Sequence, residues 1–365
     1  MRRALGVLAA LVLLGGVTYA LIPDSGPGPT KLVTVTGLIG SEKRAFFENQ
    51  QVKDELAKQG LEVRADSTGS WTMSDKAKQQ TDLDFAFPAS AAPVKEIQHI
   101  WGLQDSPLVP FYSPLVIVTH APVARVLQEN NLATLDDSDH GVWTFKMDAY
   151  LAALKSGRKW QDLVGAAAHP ELSGTIFVTT TDPQSSSSGA MYIALLSYIL
   201  NNRQVVSDQA GIDATKDVLH TATALQGGQK SSSDEPFKDF GAGVGNPLVF
   251  AYESQVAQLA LSGTSTGDMV VMYPDTTIYS DHTVVARSAN GQKLASLLQD
   301  DEELRRLEAR FGFRPQADPS AFAKAVQGKK PDFAPDLTAA KVKQPQVPAQ
   351  DYLLKLVAAA KGNAQ

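Results

Sequence analysis

Two continuous apolar segments, far apart in the chain, most constrain what this sequence can fold into. Residues 114–119 read Pro-Leu-Val-Ile-Val-Thr, and residues 247–252 are also free of charge. Uninterrupted apolar runs are typical of strands that are buried on both faces of a sheet. The stretch between them is about the size of a domain and has predicted helices at 150–154 and 190–201 and a predicted strand at 175–180. The pattern predicts two buried strands that bracket an inserted domain.

The remainder of the chain alternates predicted strands and helices. Residues 32–36 are rich in β-branched side chains and predict a strand, which is followed by a glycine-containing turn at 37–40 and a helix at 41–59. A strand-helix-strand order with short turns is typical of a mostly parallel sheet with helices on its faces. The sequence therefore predicts the α/β class. The other predicted elements are strands at 61–65, 84–87, 269–272 and 282–286, and helices at 254–261 and 292–310.

The N-terminus predicts export. Arg2 and Arg3 precede residues 4–23, an uncharged run rich in Leu, Val and Ala. Thr18 and Ala20 are small residues at the −3 and −1 positions of a cleavage site, as in a signal peptide, but about 20 apolar residues also suffice for a membrane anchor. Cleavage and retention both stay open. In either case the basic pair stays in the cytoplasm and the rest of the chain lies outside.

Composition excludes several classes of function. The formal net charge is −6 without a basic block, which excludes binding to a nucleic-acid backbone. The absence of cysteine excludes disulfides, thiolate metal sites, a Cys nucleophile and a lipid anchor on an N-terminal Cys. The six histidines are scattered, without the i, i+4 spacing of a helical metal site. We therefore expect neither a metal nor another cofactor.

Hydroxyl-rich turns are the candidate ligand site. Ser41 opens a predicted helix, whose positive end favours an anion, although an ordinary N-cap is the alternative. Residues 67–70 follow a strand at the edge where open α/β sheets bind ligands, and residues 185–189 precede a helix of the insert. The turns form one site only if the two parts of the chain face each other. The candidate ligand-binding residues are Ser41, Ser67, Thr68, Gly69, Ser70, Ser185, Ser188, Gly189, Tyr252 and Tyr273.

A hydrolase is a weaker alternative. Gly263, Ser265 and Gly267 match the Gly-x-Ser-x-Gly pattern of a nucleophile elbow, which needs a strand before the serine and a helix after it. Here a predicted helix precedes the serine and a predicted strand follows it. The sequence therefore predicts no catalytic residue and no enzyme.

The order of several short motifs resembles a known family. The motifs are Gly-Ser-Glu-Lys at 40–43, Ser-Thr-Gly-Ser at 67–70, Pro-Leu-Val-Ile-Val at 114–118, the Thr-Asp-Pro and Ser-Ser-Gly turn at 181–189 and Tyr-Pro-Asp at 273–275. Together they resemble bacterial extracellular solute-binding proteins of the type 2 periplasmic-binding fold, the substrate-binding components of ABC transporters. The resemblance covers residues 31–330 and is nearest to the branch of molybdate- and sulfate-type receptors.

The resemblance implies two lobes, each a mostly parallel sheet flanked by helices, joined by two crossover strands, with the ligand in the cleft. Residues 1–30 would then be the leader or anchor with a linker, residues 31–116 and 248–330 the first lobe, and residues 117–247 the second. Residues 331–365 would be a proline-rich extension with a short helix at 352–359. The implied function is an exported, monomeric receptor that captures an oxyanion or another small polar solute and presents it to a membrane permease or another membrane protein.

Ligand identity and the role of the tail stay open. Phosphate receptors of this superfamily usually carry an arginine shortly after the Ser-Gly turn, whereas Ala190 and Met191 follow Gly189 here. Phosphate is therefore disfavoured, and neutral donors suit a dehydrated dianion. Trp71 would suit a sugar-like ligand by stacking, or is a core residue. The alternative function is a membrane-tethered sensor or scaffold on the same fold, with the proline-rich tail as its docking element.

The first prediction concerns topology. A reporter enzyme that works only outside the cytoplasm, fused after Pro29, should be active, because the basic pair retains the N-terminus inside. A reporter that works only in the cytoplasm should be silent at the same position. The opposite pattern would contradict export and, with it, the receptor interpretation.

Overall fold

The computed structural model describes residues 32–136 and 141–363. The predicted leader or anchor at 1–30 lies outside these residues. Among the described residues, no helix has both the length and the apolar character needed to cross a membrane.

The described residues form ten strands and fourteen α-helices. The strands are β1 (Val33–Ile39), β2 (Leu61–Ser67), β3 (Phe85–Phe87), β4 (Leu108–His120), β5 (Ala133–Asp136), β6 (Val142–Phe145), β7 (Val249–Tyr252), β8 (Met269–Pro274), β9 (Tyr279–Ala286) and β10 (Arg314–Pro315). The helices are α1 (Arg44–Glu48), α2 (Gln50–Lys58), α3 (Thr72–Gln79), α4 (Val94–Trp101), α5 (Ala121–Glu129), α6 (Met147–Ser156), α7 (Ser187–Leu200), α8 (Gln209–Ala224), α9 (Asp234–Gly241), α10 (Glu253–Leu261), α11 (Ala289–Asp300), α12 (Glu302–Arg310), α13 (Ser320–Val326) and α14 (Gln350–Ala360). The predicted α/β class is confirmed.

Strands β2, β1, β3 and β9 build the first half of the sheet. The pairs β1–β2 and β1–β3 are parallel, as the strand-helix-strand order predicts, and β9 runs antiparallel to β3. Successive side chains on a strand point to opposite faces. Val35 and Ile39 of β1 therefore enter one hydrophobic cluster and Leu38 enters another. The C-terminal part of β1 is therefore buried on both faces.

Strand β4 belongs to both halves of the sheet. Residues 108–114 pair with β9, and residues 115–120 pair with β7 and β8. Beyond β8 the second half continues with β6, parallel to β8, and β5, antiparallel to β6. Leu115 and Ile117 of β4 enter one hydrophobic cluster, and Val116 and Val118 enter the cluster on the opposite face. The continuous apolar run thus marks a strand buried on both faces, as predicted.

The second expected crossover lies elsewhere in the structure. The segment 247–252 forms β7, which pairs with the second half of β4 in the register Leu115 with Tyr252. Strand β8 follows in the same half, and the chain returns to the first half only between β8 and β9. An apolar run signals burial on both faces but not the half of the sheet to which a strand belongs. The expectation that 247–252 is a crossover is therefore corrected.

Strand directions also differ from the expected mostly parallel arrangement. Strands β7, β8, β9 and β10 all run antiparallel to β4. The short turns of the first strands predicted their parallel order correctly. The later strands are reached through the long insert and return past β4 in the opposite direction, which local turn signals do not reveal.

Several element boundaries are corrected as well. Residues 37–39 extend β1 instead of forming a turn, and the predicted strand 175–180 makes only isolated bridges at Thr175 and Thr179. The predicted helix 292–310 is interrupted at Asp301, whose carboxylate accepts a hydrogen bond from the Leu304 amide (2.9 Å) and starts α12. Asn49 likewise starts α2 within the predicted helix 41–59. Such capping side chains favour a new helix start over continuation.

The C-terminal segment packs along the second half of the sheet. Phe333 and Leu337 are buried in the cluster that contains β7 and β8. Lys343 pairs with the β8–β9 connection, since its amide donates to the Asp275 carbonyl (3.0 Å) and its carbonyl accepts from the Thr277 amide (2.9 Å). Helix α14 then packs against α8 and α7 on the other face. The proline-rich extension is therefore integrated into the fold.

A buried ion pair attaches the beginning of the C-terminal segment to the rest of the fold. The guanidinium of Arg314 donates to both carboxylate oxygens of Glu253 (2.7 and 2.8 Å), and their side chains are 2% and 0% exposed. Arg314 also donates to the carbonyl of Ala334 (2.5 Å). Tyr273 donates to Glu253 and accepts from the Ala334 amide (2.9 Å). The pair thus joins β10, α10, β8 and the C-terminal segment.

We predict that Arg314→Met lowers the free energy of unfolding by about 3–5 kcal/mol, because it leaves the Glu253 carboxylate buried without its counter-charge. The matched control is Arg306→Met, which breaks the exposed pair with Glu303, whose side chains are 50% and 41% exposed. The control should cost less than about 1 kcal/mol. Urea unfolding followed by circular dichroism measures both. Equal small effects would contradict the structural role of the buried pair.

Candidate functional site

A cavity of about 470 Å³ lies where turns from the two parts of the chain meet. Ten of its sixteen lining residues carry hydroxyl groups as serine or threonine. Its lining consists of Gly40, Ser41, Glu42, Arg44, Ser67, Thr68, Gly69, Ser70, Thr72, Lys76, Ser185, Ser186, Ser231, Ser232, Ser233 and Tyr252. The cavity therefore offers mainly neutral hydrogen-bonding groups.

Four α-helices begin at this cavity. The lining residues Ser70, Ser186, Ser233 and Tyr252 stand just before α3, α7, α9 and α10. Neither Ser186 nor Ser233, the N-caps of α7 and α9, uses its side chain for a cap hydrogen bond. The first amides of a helix have no partner within the helix, and its start carries partial positive charge. The starts of α3, α7 and α9 around one space favour an anionic ligand, whereas at the start of α10 the Ser254 amide already donates to Ser113.

The charged residues of the lining also give the cavity a net positive charge. Arg44 and Lys76 contribute two cations, and Glu42 contributes one carboxylate. Burial alone would raise the pKa of Glu42, but the neighbouring Lys43 ammonium and His282 outweigh it and lower that pKa from 4.5 to about 2. Glu42 is therefore ionised, and its charge is balanced by Lys43, with which it forms a buried ion pair. The net charge that faces the cavity is positive.

His282 completes a buried cluster with Glu42 and Lys43. The Nζ of Lys43 lies 2.9 Å from Nδ1 of His282. Burial and the charge of Lys43 lower the pKa of His282 from 6.5 to about 4, so the ring is neutral at neutral pH. The ring packs against Phe111 and Phe313, with centroid distances of 5.2 and 5.3 Å. The cluster fixes the Ser41 turn against β9.

The two sides of the cavity touch each other directly. The Oγ of Ser41 accepts a hydrogen bond from Ser232 (3.0 Å), and the Ser90 and Ser187 hydroxyls lie 2.8 Å apart. The amide of Trp71 donates to the carbonyl of Ser185 (3.2 Å). These contacts join segments that lie before β4 to segments of the insert. The structure thus shows the cleft in a closed arrangement.

Seven of the ten predicted ligand residues line the cavity. They are Ser41, Ser67, Thr68, Gly69, Ser70, Ser185 and Tyr252, and their contact with a ligand stays a prediction. Turns near residues 41, 67–70 and 185, which are far apart in the chain, are thereby brought together. The sequence could not show this convergence.

The other three predicted residues lie outside the lining. Ser188 is fully buried, and its hydroxyl lies 2.7 Å from that of Thr181. The amide of Gly189 donates to the same Thr181 hydroxyl (2.9 Å). Tyr273 belongs to the network of Glu253 and Arg314. These three residues do not line the cavity, and Thr181 and Glu253 already contact their polar atoms, so a ligand role for them stays a prediction.

Sequence reasoning missed several groups at this site. Arg44, Lys76 and the serines 231–233 line the cavity, and His282 stands behind it. Serines 231–233 stand before a helix, and serines 185–188 lie at the start of another. This similarity could have identified them as candidate ligand residues from the sequence. No comparable local signal existed for His282, since its partner is 239 residues away.

Gly69 and Trp71 both lie against the carbonyl of Ser185 on the other side. A Cβ on Gly69 would lie 2.4 Å from the carbonyl oxygen of Ser185, far inside van der Waals contact with backbone. Trp71 is 8% exposed and packs in the hydrophobic cluster that contains Leu115, so it is a core residue and does not line the cavity. Closure therefore depends on the missing side chain at position 69.

We predict that Gly69→Ala keeps the two sides apart and makes Trp71 more accessible to acrylamide in fluorescence quenching. The fluorescence of Trp71 is obtained by subtracting the signal of a Trp71→Phe variant from that of the same protein with Trp71. This is done both with and without the Gly69→Ala substitution. Gly228→Ala is the matched control, because a Cβ on that glycine meets no atom within 4 Å. Equal quenching in Gly69→Ala and the unmodified protein would contradict the closed contact.

No protein-family model matches the sequence, and a search of curated proteins gave no significant match. Solved structures do match. The sulfate-binding protein of Mycobacterium tuberculosis has 17% identity and a TM-score of 0.51 over 81% of this chain and 91% of that chain. The apo ferric ion-binding protein A of Pasteurella haemolytica has 16% identity and a TM-score of 0.54 over 90% and 98%. At such identities the likeness establishes the fold alone, and it confirms that this chain has the two-lobe type 2 periplasmic-binding fold.

Proposed function

We propose that this protein is an exported receptor that captures a small oxyanion in the cavity between its lobes and presents it to a membrane partner. The observation that carries the proposal is the convergence of the starts of α3, α7 and α9 on one hydroxyl-lined cavity. Helix starts and hydroxyl groups donate hydrogen bonds, and hydrogen bonds to a charged acceptor are the strong ones. The cavity thus offers many groups that can donate to an anion.

The charge of the lining supports an anion over a cation. Arg44 and Lys76 are opposed by the single carboxylate of Glu42, which Lys43 already balances. A polyamine would need several carboxylates to replace its hydration, because buried charges require paired partners. A ferric ion would need a set of oxygen or nitrogen ligands, and the lining contains one carboxylate and no histidine. An oxyanion fits these groups best.

The closed contacts support a receptor mechanism in which the ligand stabilises the closed form. Ser41 and Thr68 lie on one side of the cavity, and Ser186 and Ser232 lie on the other. A ligand shifts a conformational equilibrium only by its differential affinity for the two states. An anion that accepts from both sides binds the closed form more tightly than the open form. The bound, closed form is then the species that a permease would recognise.

An extracytoplasmic location rests on the predicted leader or anchor, and an ABC-type permease as partner rests on the family resemblance. The alternative function, a sensor or scaffold with the tail as docking element, loses its main support. Leu353 and Leu356 of α14 are buried in the core, as are Phe333 and Leu337 before it. A segment that is already packed in this way is not a free docking element.

The proposal predicts that sulfate or molybdate raises the melting temperature and binds with measurable heat. Saturation to 100 times the dissociation constant adds about 2.7 kcal/mol to the free energy of unfolding. Ser41→Ala should weaken binding by about 1–3 kcal/mol, because the anion loses a donor, while the ligand-free melting temperature stays nearly constant. Ser265→Ala, in an exposed loop outside the cavity, should leave binding unchanged.

Thermal shift and isothermal calorimetry test this with sulfate, molybdate, phosphate, spermidine, ferric citrate and a sugar panel. Binding of a cation or a sugar without binding of any oxyanion would overturn the ligand class. Anion binding that Ser41→Ala and Ser265→Ala leave equally unchanged would overturn the assignment of the cavity.

A further inference from the structure

The C-terminal helix ends beside two of the turns that line the cavity. Lys361 directly follows α14, and its Nζ lies 3.4 Å from Oδ1 of Asp182 and 3.4 Å from Oε1 of Gln229. The side chains of Lys361 and Asp182 are 24% and 27% exposed, so solvent screens the pair only in part. Asp182 precedes the lining residues Ser185 and Ser186, and Gln229 precedes the serines 231–233. One ammonium group thus contacts both turns.

The two turns are also joined to each other. The amide of Asp182 donates to the carbonyl of Lys230 (2.8 Å), and the side-chain amide of Gln229 donates to the carbonyl of Thr181 (3.1 Å). These bonds lie next to the contacts of Lys361. The turns therefore behave as one unit, and a group that holds both of them sets the position of that unit.

Asp182 organises the turn that reaches the cavity. Its carbonyl accepts hydrogen bonds from the amides of Ser185 (3.2 Å) and Ser186 (3.0 Å), and its carboxylate accepts from the amide of Gln184 (3.1 Å). A displacement of Asp182 consequently moves the two lining serines. The cation that restrains the Asp182 carboxylate restrains them as well.

Helix α14, which precedes Lys361, is fixed in position by its packing. Leu353, Leu356 and Val357 are buried in the core cluster of the second lobe. His220 of α8 donates from Nδ1 to the carbonyl of Ala360 (3.1 Å), which fixes the last turn of α14. A cation at a helix C-terminus is favoured by the helix dipole as well. The backbone that carries the Lys361 side chain is therefore held in place.

We propose that Lys361 is a positioning residue for ligand binding. It holds the turns at 181–189 and 226–233 in the relative position that closes the cavity. It touches no ligand itself, since it does not line the cavity. The proposal rests on the proposed function for its ligand, but the ordering of the turns is a property of the ligand-free protein. The two claims can therefore be tested separately.

The first experiment is hydrogen exchange of the ligand-free protein. Lys361→Met keeps the length of the side chain and removes its charge, and Lys361→Arg restores the charge. Lys355→Met is the matched control on the same helix, because Lys355 is exposed and its ammonium lies over the ring of Tyr352. We expect faster exchange at the amides of Asp182, Ser185 and Ser186 in Lys361→Met only, with an unchanged melting temperature.

The second experiment is calorimetry with sulfate and molybdate. Lys361→Met should weaken binding about two- to fivefold, the range of a partly exposed ion pair. Lys361→Arg should bind like the unmodified protein, and so should Lys355→Met. A double-mutant cycle with Asp182→Asn should show non-additive losses, because both changes remove the same pair.

The outcomes separate the two claims. Unchanged exchange in Lys361→Met would overturn the positioning role whatever the ligand is. Faster exchange with unchanged affinity would show that the ordering of these turns does not serve binding, and it would overturn the proposal too. Failure of every anion to bind the unmodified protein would overturn the proposed function, while the exchange experiment would still decide the ordering by Lys361.

Discussion

Strand β4 is the constraint on which the rest of the structure depends, since one strand belongs to both halves of the sheet. Its first half pairs with β9 and its second half with β7 and β8. The return connection lies beside it: the Leu115 amide donates to the Ile278 carbonyl (3.2 Å), and the Thr277 hydroxyl donates to the Leu115 carbonyl (2.7 Å). Any relative movement of the lobes must bend the chain where it passes between the halves, at these two adjacent places and in the C-terminal segment between β10 and α14. The cavity opens or closes around them.

The same architecture explains the chemistry of the cavity. Parallel strands end at one edge of a sheet, so the turns after β1 and β2 lie together and each leads into a helix. The insert contributes further helix starts at Ser186 and Ser233 from the opposite side. The buried Glu42–Lys43–His282 cluster stands behind the Ser41 turn and keeps it against β9. The result is a set of hydroxyl groups and helix starts around one space, which suits an anion stripped of its water.

Part of this could be predicted from the sequence and part could not. The apolar run at 114–118 correctly predicted a strand buried on both faces, and the turns at 67–70 and 185–188 were recognisable because hydroxyl groups and glycine cluster there. Local patterns could not assign β7 to the second half of the sheet, because an apolar run carries no information on its neighbours. They also could not pair Lys43 with His282, or show that the hydroxyl of Ser188 is held by Thr181.

The central claim is that the hydroxyl-lined cavity is the site of an oxyanion. Crystals grown with molybdate test it most directly, because the anomalous scattering of molybdenum locates the anion without assumptions about its surroundings. The account predicts an anomalous peak inside the cavity, within hydrogen-bond distance of groups from both lobes, such as the hydroxyls of Ser41, Thr68 and Ser186. An ordered molybdate at another place, with the cavity holding only water, would contradict it.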